Sequence, residues 1–280
     1  MTNLLIALKN LIMIQSADIE AYSKSSNRAN SMGDALEIYI RDLFCGSSNA
    51  KREEKDLIYN NHFSYLGNQN NPPDLIIKGG DALEVKKIES LRSGIALNSS
   101  YPKDKLYVDS PMITKDCRLC EAWKEKDIIY CIGIIKNNRL IALWFVYGNC
   151  YAANKDIYER IKTRISTGLN ELDGVELSDT EELGRVNKVD PLGITYLRIR
   201  GMWGIENPAK VFDYIAGIES NKELTVNAIM LKEKYDSFPE KDRVGLEKLV
   251  NSSLSISDIK IKSPNNPAKL LEAKLIKFSK

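Results

Sequence analysis

The fold of this chain depends on one stretch, Pro73-Asp74-Leu75-Ile76-Ile77-Lys78-Gly79-Gly80-Asp81-Ala82-Leu83-Glu84-Val85-Lys86. Two short apolar segments flank a pair of glycines, which is the pattern of a β-hairpin. In the second segment, apolar side chains alternate with Glu84 and Lys86, and side chains on a strand alternate between its two faces. The pattern therefore predicts two antiparallel strands with one apolar face and one face that presents a carboxylate beside an ammonium group.

The length of the turn decides which residue lies opposite Glu84. A two-residue turn at the glycine pair would place Asp74 opposite Val85, with the two carboxylates on different faces. A three-residue loop, Lys78-Gly79-Gly80, would place Asp74 opposite Glu84, and such loops favour a glycine in the left-handed conformation. We therefore predict the three-residue loop, which brings Asp74, Glu84 and Lys86 within reach of one divalent ion and one water.

These three side chains suit magnesium-dependent hydrolysis of a phosphodiester. Oxygen ligands without a neighbouring His or Cys favour Mg²⁺, which keeps several waters and takes further ligands from substrate phosphate. A lysine beside the ion can orient or deprotonate the attacking water and neutralise charge that builds on phosphorus. The tripeptide Asp/Glu-x-Lys is weak evidence by itself, because it also occurs at 53–55, 258–260 and 272–274. On the residues alone, a solvated hairpin face stays open as the alternative.

Composition narrows the class of protein. The chain has 280 residues, of which 43% are hydrophobic, and its formal net charge is only +2. A sizeable core is therefore expected, and a nuclease of this composition must gather its basic residues on one face. The apolar run at residues 4–8 is followed by Lys9 and lacks a basic lead-in, so it predicts an amphipathic helix and not a signal peptide. Later apolar runs are too short to span a bilayer, and we expect a soluble, cytoplasmic protein.

Cysteine and histidine are too few, or too poorly spaced, for other common sites. The chain has five cysteines, and an odd number without a secretion signal indicates reduced thiols. Cys117 and Cys120 have the spacing of zinc ligands, but a tetrahedral site needs two further ligands. His62 is the one histidine and is interpreted as a structural residue in a strand, which disfavours zinc and Ser-His or Cys-His catalysis.

Hydrophobic periodicity predicts an alternation of helices and strands around the central hairpin. The predicted helices are residues 3–23, 32–44, 114–126 and 154–168, and the predicted strands are 57–66, 128–135 and 140–147. The asparagine-rich residues 68–72 are predicted to form a loop. The strands at 128–135 and 140–147, joined by Lys136-Asn137-Asn138-Arg139, are predicted to form a second hairpin of buried strands. This order predicts an α/β fold with a mixed central β-sheet flanked by helices, together with additional helical and loop segments.

Four basic residues are candidate DNA contacts. Arg92 and Lys103 belong to a Ser-, Asn- and Pro-rich segment next to the acidic hairpin, where polar donors can contact phosphates. Arg198 and Arg200 share one face of a strand predicted at 196–204, where arginine can grip phosphate or read guanine. An ordinary surface loop and solvated arginines on a core strand stay open as the alternatives.

The second half of the chain is predicted to differ in role from the first. We divide the chain into a nuclease core, residues 1–170, and a DNA-recognition and C-terminal extension, residues 171–280, packed together as one globular unit. The acidic residues 171–182 resemble a linker or a surface loop. Residues 221–280 predict one or two amphipathic helices and contain no recognisable chemical motif.

The hairpin resembles the catalytic motif of the PD-(D/E)xK nuclease superfamily. Pro73-Asp74 is followed by nine residues and then by Glu84-Val85-Lys86, and the preceding predicted helix contains Glu37. Together with Asn27-Arg28-Ala29-Asn30-Ser31-Met32-Gly33-Asp34-Ala35-Leu36-Glu37 and Tyr147-Gly148-Asn149-Cys150-Tyr151-Ala152-Ala153, the motif makes the first 170 residues similar to the NgoPII-type family of type II restriction endonucleases. By spacing alone, Glu37 is either a surface partner of Arg41 or a further acidic group at the metal site.

The resemblance implies a Mg²⁺-dependent endonuclease that cuts double-stranded DNA within a short palindrome, with GGCC as the site associated with the family. It implies Asp74 and Glu84 as metal ligands, Lys86 as the catalytic lysine and Glu37 as an auxiliary acid. A two-fold symmetric target implies a homodimer. In-line attack of water would leave a 5′ phosphate and a 3′ hydroxyl. A sequence-independent repair or recombination nuclease and a catalytically inert DNA-binding protein stay open as alternatives.

Overall fold

The computed structural model describes residues 1–14, 18–19, 22, 32–68, 71–91, 93–110, 112–172, 176–178 and 182–280. The helices are α1 (Leu4–Ile14), α2 (Met32–Cys45), α3 (Arg52–His62), α4 (Lys115–Leu119), α5 (Gly148–Tyr151), α6 (Lys155–Asn170), α7 (Pro208–Val211), α8 (Lys232–Ser237) and α9 (Glu240–Glu247). The strands are β1 (Phe63–Asn68), β2 (Asn71–Ile77), β3 (Ala82–Ile88), β4 (Ile95–Asn98), β5 (Lys105–Tyr107), β6 (Glu125–Lys136), β7 (Arg139–Tyr147), β8 (Glu176–Leu177), β9 (Gly184–Asn187), β10 (Leu197–Ile199), β11 (Trp203–Ile205), β12 (Thr225–Leu231), β13 (Leu254–Lys262) and β14 (Leu270–Ser279).

A mixed β-sheet forms the centre of the described fold. Its strands follow the order β1-β2-β3-β6-β7-β12-β14-β13, and β5 also pairs with β6. The β3–β6 and β7–β12 pairs are parallel, and the other pairs of this sheet are antiparallel. The predicted α/β fold, with a mixed central sheet flanked by helices, is confirmed. Outside this sheet, β8, β9 and β10 form a small sheet and β11 pairs with β4.

The second predicted hairpin forms the middle of the sheet. Strands β6 and β7 are almost continuously apolar, and nearly all of their side chains are buried, as is typical of strands covered on both faces. Lys136 pairs with Arg139 across the turn, so Asn137 and Asn138 form a two-residue loop. Both asparagines have positive φ angles, 51° and 62°, which matches the twist that a tight hairpin requires.

The helix predicted at residues 3–23 is not continuous. Helix α1 ends at Ile14, and Asp18 forms an isolated antiparallel bridge with Arg139. Residues 15–17, 20–21 and 23 of the predicted helix lie outside the described residues.

Two further predictions before the central hairpin were wrong. The strand predicted at 57–66 begins only at Phe63, because the preceding residues form α3 and pack through one buried aromatic, Tyr59. His62 is therefore the last residue of a helix, where its Nδ1 lies 2.9 Å from the carbonyl oxygen of Ile58. The loop predicted at 68–72 is shorter than expected, since Asn71 already pairs with Asn68 and begins β2.

Two further boundaries differ from the prediction downstream. The helix predicted at 114–126 ends at Leu119, and β6 has begun by Glu125. The strand predicted at 196–204 is divided between β10, which pairs with β9, and β11, which pairs with β4. Helix α6 agrees closely with the prediction, as does α2. None of the described helices is long and apolar enough to cross a membrane.

The C-terminal residues contain more structure than the sequence pattern indicated. Two helices, α8 and α9, match the prediction, but three strands were missed. Strand β12 pairs in parallel with β7, and β14 and β13 follow it at that side of the sheet. The sheet thus continues across residue 170, and the proposed division into residues 1–170 and 171–280 stays a prediction.

Candidate active site

The β2–β3 hairpin has the three-residue loop that the sequence predicts. The Ile77 N–H donates to the carbonyl oxygen of Asp81 at 3.0 Å and so closes the loop. Within it, Gly79 has a φ angle of 62°, a left-handed conformation that glycine adopts without strain. The register of β2 on β3, continued by one pair, places Asp74 opposite Glu84. The predicted turn and register are confirmed.

The three polar side chains of the hairpin meet at one point. The Lys86 Nζ lies 2.6 Å from Glu84 Oε1 and 3.8 Å from Asp74 Oδ2. The backbone N–H of Val85 donates to Asp74 Oδ2 at 2.6 Å and fixes that carboxylate. The exposed fractions of the Asp74, Glu84 and Lys86 side chains are 15%, 10% and 25%. The cluster is therefore shielded from bulk water but open enough to be reached by a substrate.

Burial and mutual charge control protonation in this cluster. Burial, aided by the negative charge of Glu84, raises the pKa of Asp74 to about 8, although Lys86 acts in the opposite direction. Burial lowers the pKa of Lys86, but the charges of Glu84 and Asp74 outweigh it, and the net pKa is raised. Lys86 is therefore an ammonium ion at neutral pH, whereas Asp74 of the metal-free site keeps its proton until the pH reaches about 8.

The donor set fits Mg²⁺. Glu84 Oε2 is buried and has no hydrogen-bond partner among the described residues. Burying an unpartnered oxygen raises the free energy of the folded state, and a bound cation would offset this cost. In the described ranges, no group of three or more His, Cys, Asp or Glu residues forms a ready-made metal cluster. Mg²⁺ does not require one, because it is commonly held by one or two carboxylates together with waters and substrate phosphate.

A cavity of about 90 Å³ opens beside the cluster. Asp74, Glu84 and Lys86 form one side of it. Its other walls include the residues after β4, Tyr130 on β6, and Met112. A buried pocket that combines carboxylates, an ammonium group and polar residues is suited to a phosphate and its metal ion.

Comparison with known proteins shows the family to which the sequence is similar. The family model described as NgoPII restriction endonuclease matches residues 2–262. The chain belongs to this family. It is 50% identical over 277 residues to the "Type II restriction enzyme NgoPII" of Neisseria gonorrhoeae, and the match covers 99% of each chain. No solved structure matches the chain.

Membership of the NgoPII restriction endonuclease family confirms the resemblance inferred from the motif. It also confirms the expected class of enzyme, a site-specific deoxyribonuclease. The similarity reaches well beyond the first 170 residues and includes the C-terminal strands β12 and β13. The sequence pattern alone did not indicate that the family match would extend to these strands.

Glu37 lies near the cluster, as the NgoPII-type motif implies. Its charge helps to raise the pKa of both Asp74 and Lys86. Its carboxylate forms an ion pair with Arg41 one helical turn later, which was one of the two interpretations of its spacing. The auxiliary acidic role that the NgoPII-type resemblance implies for Glu37 stays a prediction.

The four predicted DNA contacts occupy different environments in this NgoPII-family fold. Lys103 lines the cavity and is buried, with burial lowering its pKa to about 8. Arg198 lies on β10 of the small sheet and Arg200 follows the end of that strand; both pair with Glu182, outside the cavity lining. Arg92 lies outside the described residues. DNA binding by these four residues stays a prediction.

Sequence reasoning missed Tyr130 as a residue of the site. It lies within the apolar run of β6 and carries no motif, so its pattern indicates only a buried strand. The parallel pairing of β3 with β6 places it beside Glu84, and its hydroxyl faces the cavity wall formed by Lys103. Only the order of strands in the sheet reveals this contact.

In the absence of metal, the stability of the wild-type enzyme is expected to fall as pH rises, and Asp74→Asn is expected to abolish this fall. The folded-state pKa of about 8 exceeds the ordinary 3.8, so the folded state binds the extra proton between these values. Stability of the wild type should therefore fall as pH rises from about 4 to 8, by at most about 1.4 kcal/mol per pH unit. Urea unfolding in EDTA at pH 6 and pH 8.5 measures this. If the free energies of unfolding of variant and wild type differ by the same amount at both pH values, the raised pKa of Asp74 is contradicted.

Proposed function

We propose that this chain is a Mg²⁺-dependent type II restriction endonuclease that hydrolyses both strands of double-stranded DNA within a short palindrome. The observation that carries the proposal is the convergence of Asp74, Glu84 and Lys86 on one cavity, with one Glu84 oxygen unpartnered. Membership of the NgoPII restriction endonuclease family supports the same reaction. The products we assign are a 5′ phosphate and a 3′ hydroxyl.

Asp74 and Glu84 would hold the Mg²⁺ ion. When bound, the ion supplies positive charge that acidifies a water and neutralises phosphate. The Val85 N–H keeps Asp74 in place, and Glu84 Oε1 keeps the Lys86 ammonium beside the cavity. Lys86 then donates to the attacking water or to a phosphate oxygen, where charge increases in the transition state.

GGCC is the target that we assign, because it is the site associated with the family that the motif resembles. A palindrome presents the same face to two protein copies related by a two-fold axis, so we propose a homodimer with one active site for each strand. Arg92, Arg198 and Arg200 are the proposed guanine or phosphate contacts, and each bidentate arginine–guanine pair contributes about 1–3 kcal/mol of discrimination. We assign the enzyme to the cytoplasm, where its DNA lies.

Digestion of a plasmid of known sequence tests this function. We expect discrete fragments in Mg²⁺, no cleavage in EDTA, and fragment ends that map to one palindrome. A plasmid with every copy of that palindrome altered is the matched control and should stay intact. Sequence-independent degradation would instead support a repair-type nuclease, and DNA binding without cleavage in any divalent ion would support an inert DNA-binding protein.

A further inference from the structure

We propose that Lys103 is a second catalytic lysine, whose ammonium group contacts a non-bridging oxygen of the scissile phosphate inside the cavity that Lys86 also lines. This inference rests on the proposed nuclease function and assigns a specific role within that site. It differs from a general DNA contact, because a residue that is buried in the cavity lining can meet only a phosphate that enters the cavity. Lys103 is 5% exposed.

The surroundings of Lys103 leave its charge without a counter-ion. Its Nζ donates to the hydroxyl of Ser100 and lies 3.4 Å from the carbonyl oxygen of Tyr101. It also lies 4.9 Å from the centre of the Tyr101 ring, within range of a cation–π interaction. In the described part of the chain no carboxylate forms an ion pair with it, although the charge of Glu84 acts on its pKa.

Two other lysines with buried ammonium groups form ion pairs with carboxylates. Lys126 pairs with Glu121, and Lys234 pairs with both Asp81 and Asp127. Burying an ammonium group is costly unless an opposite charge compensates for it. Because Lys103 faces the cavity, the compensating charge we infer is an anion that enters there, and the substrate of a nuclease brings a phosphate.

The backbone holds Lys103 firmly beside the metal ligands. Tyr130 lies opposite Glu84 in the parallel β3–β6 pairing. Its hydroxyl accepts from the Lys103 N–H at 2.7 Å and donates to the Lys103 carbonyl at 3.3 Å. On the other side, a Cβ added to Gly148 would lie 2.4 Å from the carbonyl oxygens of Lys103 and Asp104, so the segment packs directly against a glycine.

A second lysine can stabilise the negative charge that develops in this reaction. As the water oxygen bonds to phosphorus and the bond from phosphorus to the 3′ oxygen breaks, negative charge increases on the non-bridging oxygens. The attacking water passes a proton to solvent and the 3′ oxygen takes a proton from solvent, while Lys103 keeps its own proton throughout. Because Lys86 is bound to Glu84, a separate cation that is already desolvated and fixed can stabilise that charge.

Lys103→Met tests the proposal, because methionine keeps much of the side-chain volume and removes the charge. We expect the single-turnover cleavage rate in Mg²⁺ to fall by about 10²–10³-fold, as for loss of one preorganised donor. The DNA dissociation constant, measured in EDTA, should change less than about threefold, because one buried contact adds little to binding through the whole phosphate backbone. Lys105→Met is the matched control and should leave both values unchanged, since Lys105 is more exposed and pairs with Glu125.

Ser100→Ala gives a second, independent test. The variant keeps the charge of Lys103 but removes a hydrogen-bond acceptor of its Nζ, so we expect a rate loss of about tenfold at unchanged affinity. If thermal unfolding shows that Lys103→Met does not fold, Ser100→Ala tests the role of Lys103 in its place. A folded Lys103→Met enzyme that cleaves within about threefold of the wild type would overturn the proposal. Failure of the wild type itself to cleave DNA would instead overturn the proposed function.

Discussion

Lys86→Ala is expected to lower the single-turnover rate of DNA cleavage by about 10³-fold or more, because it removes the ammonium group next to both proposed metal ligands. The Lys86 Nζ lies 2.6 Å from Glu84 Oε1 and 3.8 Å from Asp74 Oδ2, and all three side chains line the same cavity. A cation at this position stabilises charge that exists only in the transition state. The measurement is the cleavage rate in Mg²⁺ with enzyme in excess over DNA.

The neighbouring lysine provides the control for this variant. Lys87 is the next residue of β3, but its Nζ pairs with Glu89 at 2.5 Å and it does not line the cavity. Lys87→Ala should therefore cleave DNA within about threefold of the wild-type rate, as expected for an exposed ion pair of small energetic weight. Equal losses in both variants, or normal cleavage by folded Lys86→Ala, would show that the hairpin is not the catalytic site.

A buried ion cluster connects the C-terminal residues to the β2–β3 hairpin. The Lys234 Nζ on α8 lies 2.7 Å from Asp81 Oδ1 and 2.7 Å from Asp127 Oδ2. The hydroxyl of Tyr147 donates to the other oxygen of Asp81 at 2.7 Å. Burial lowers the pKa of Lys234, but the charge of Asp81 and the bonds to both carboxylates outweigh it and raise the net value.

Lys234→Met is expected to lower the free energy of unfolding by about 3–5 kcal/mol, because it leaves two largely buried carboxylates without their cation. Since the folded-state pKa of Lys234 is raised above the unfolded value, its stabilisation is fully present at neutral pH and is lost only as pH rises through the folded-state pKa. Urea unfolding at pH 7 measures the change.

Lys232→Met is the matched control for this second variant. Lys232 belongs to the same short helix, but it is exposed and its two carboxylate partners are 3.7 Å away. Its replacement should change stability by no more than about 0.5 kcal/mol. A loss below about 1 kcal/mol for Lys234→Met would mean that the cluster does not join α8 to the hairpin as we infer.

Local patterns were sufficient to predict the turn and register of the β2–β3 hairpin. The glycine pair and the alternation of Glu84 and Lys86 with apolar residues determine both the turn and the face on which the charges lie. The asparagine pair 137–138 between two apolar runs likewise indicated the β6–β7 hairpin. These features depend on residues close in sequence, whose conformations and hydrogen bonds follow from turn chemistry.

Local patterns could not predict the pairing of strands that are far apart in the sequence. Strand β12 is short, and its place beside β7 depends on a parallel pairing across more than 70 residues of chain. Tyr130 and Lys103 join the site only because β6 lies next to β3. Helix α3 was mistaken for a strand because it buries little of its surface, so that its apolar residues show no clear helical stripe.

Iron-directed cleavage of the protein backbone tests most directly whether Asp74 and Glu84 hold the metal. Fe²⁺ replaces Mg²⁺, and ascorbate with hydrogen peroxide generates radicals that cut the polypeptide near the bound ion. We expect cuts confined to the regions of Asp74 and Glu84 and to other segments that line the cavity, suppressed by excess Mg²⁺ and absent in Asp74→Asn. Cuts at a different part of the chain, in a preparation that cleaves DNA, would contradict the assignment of the active site.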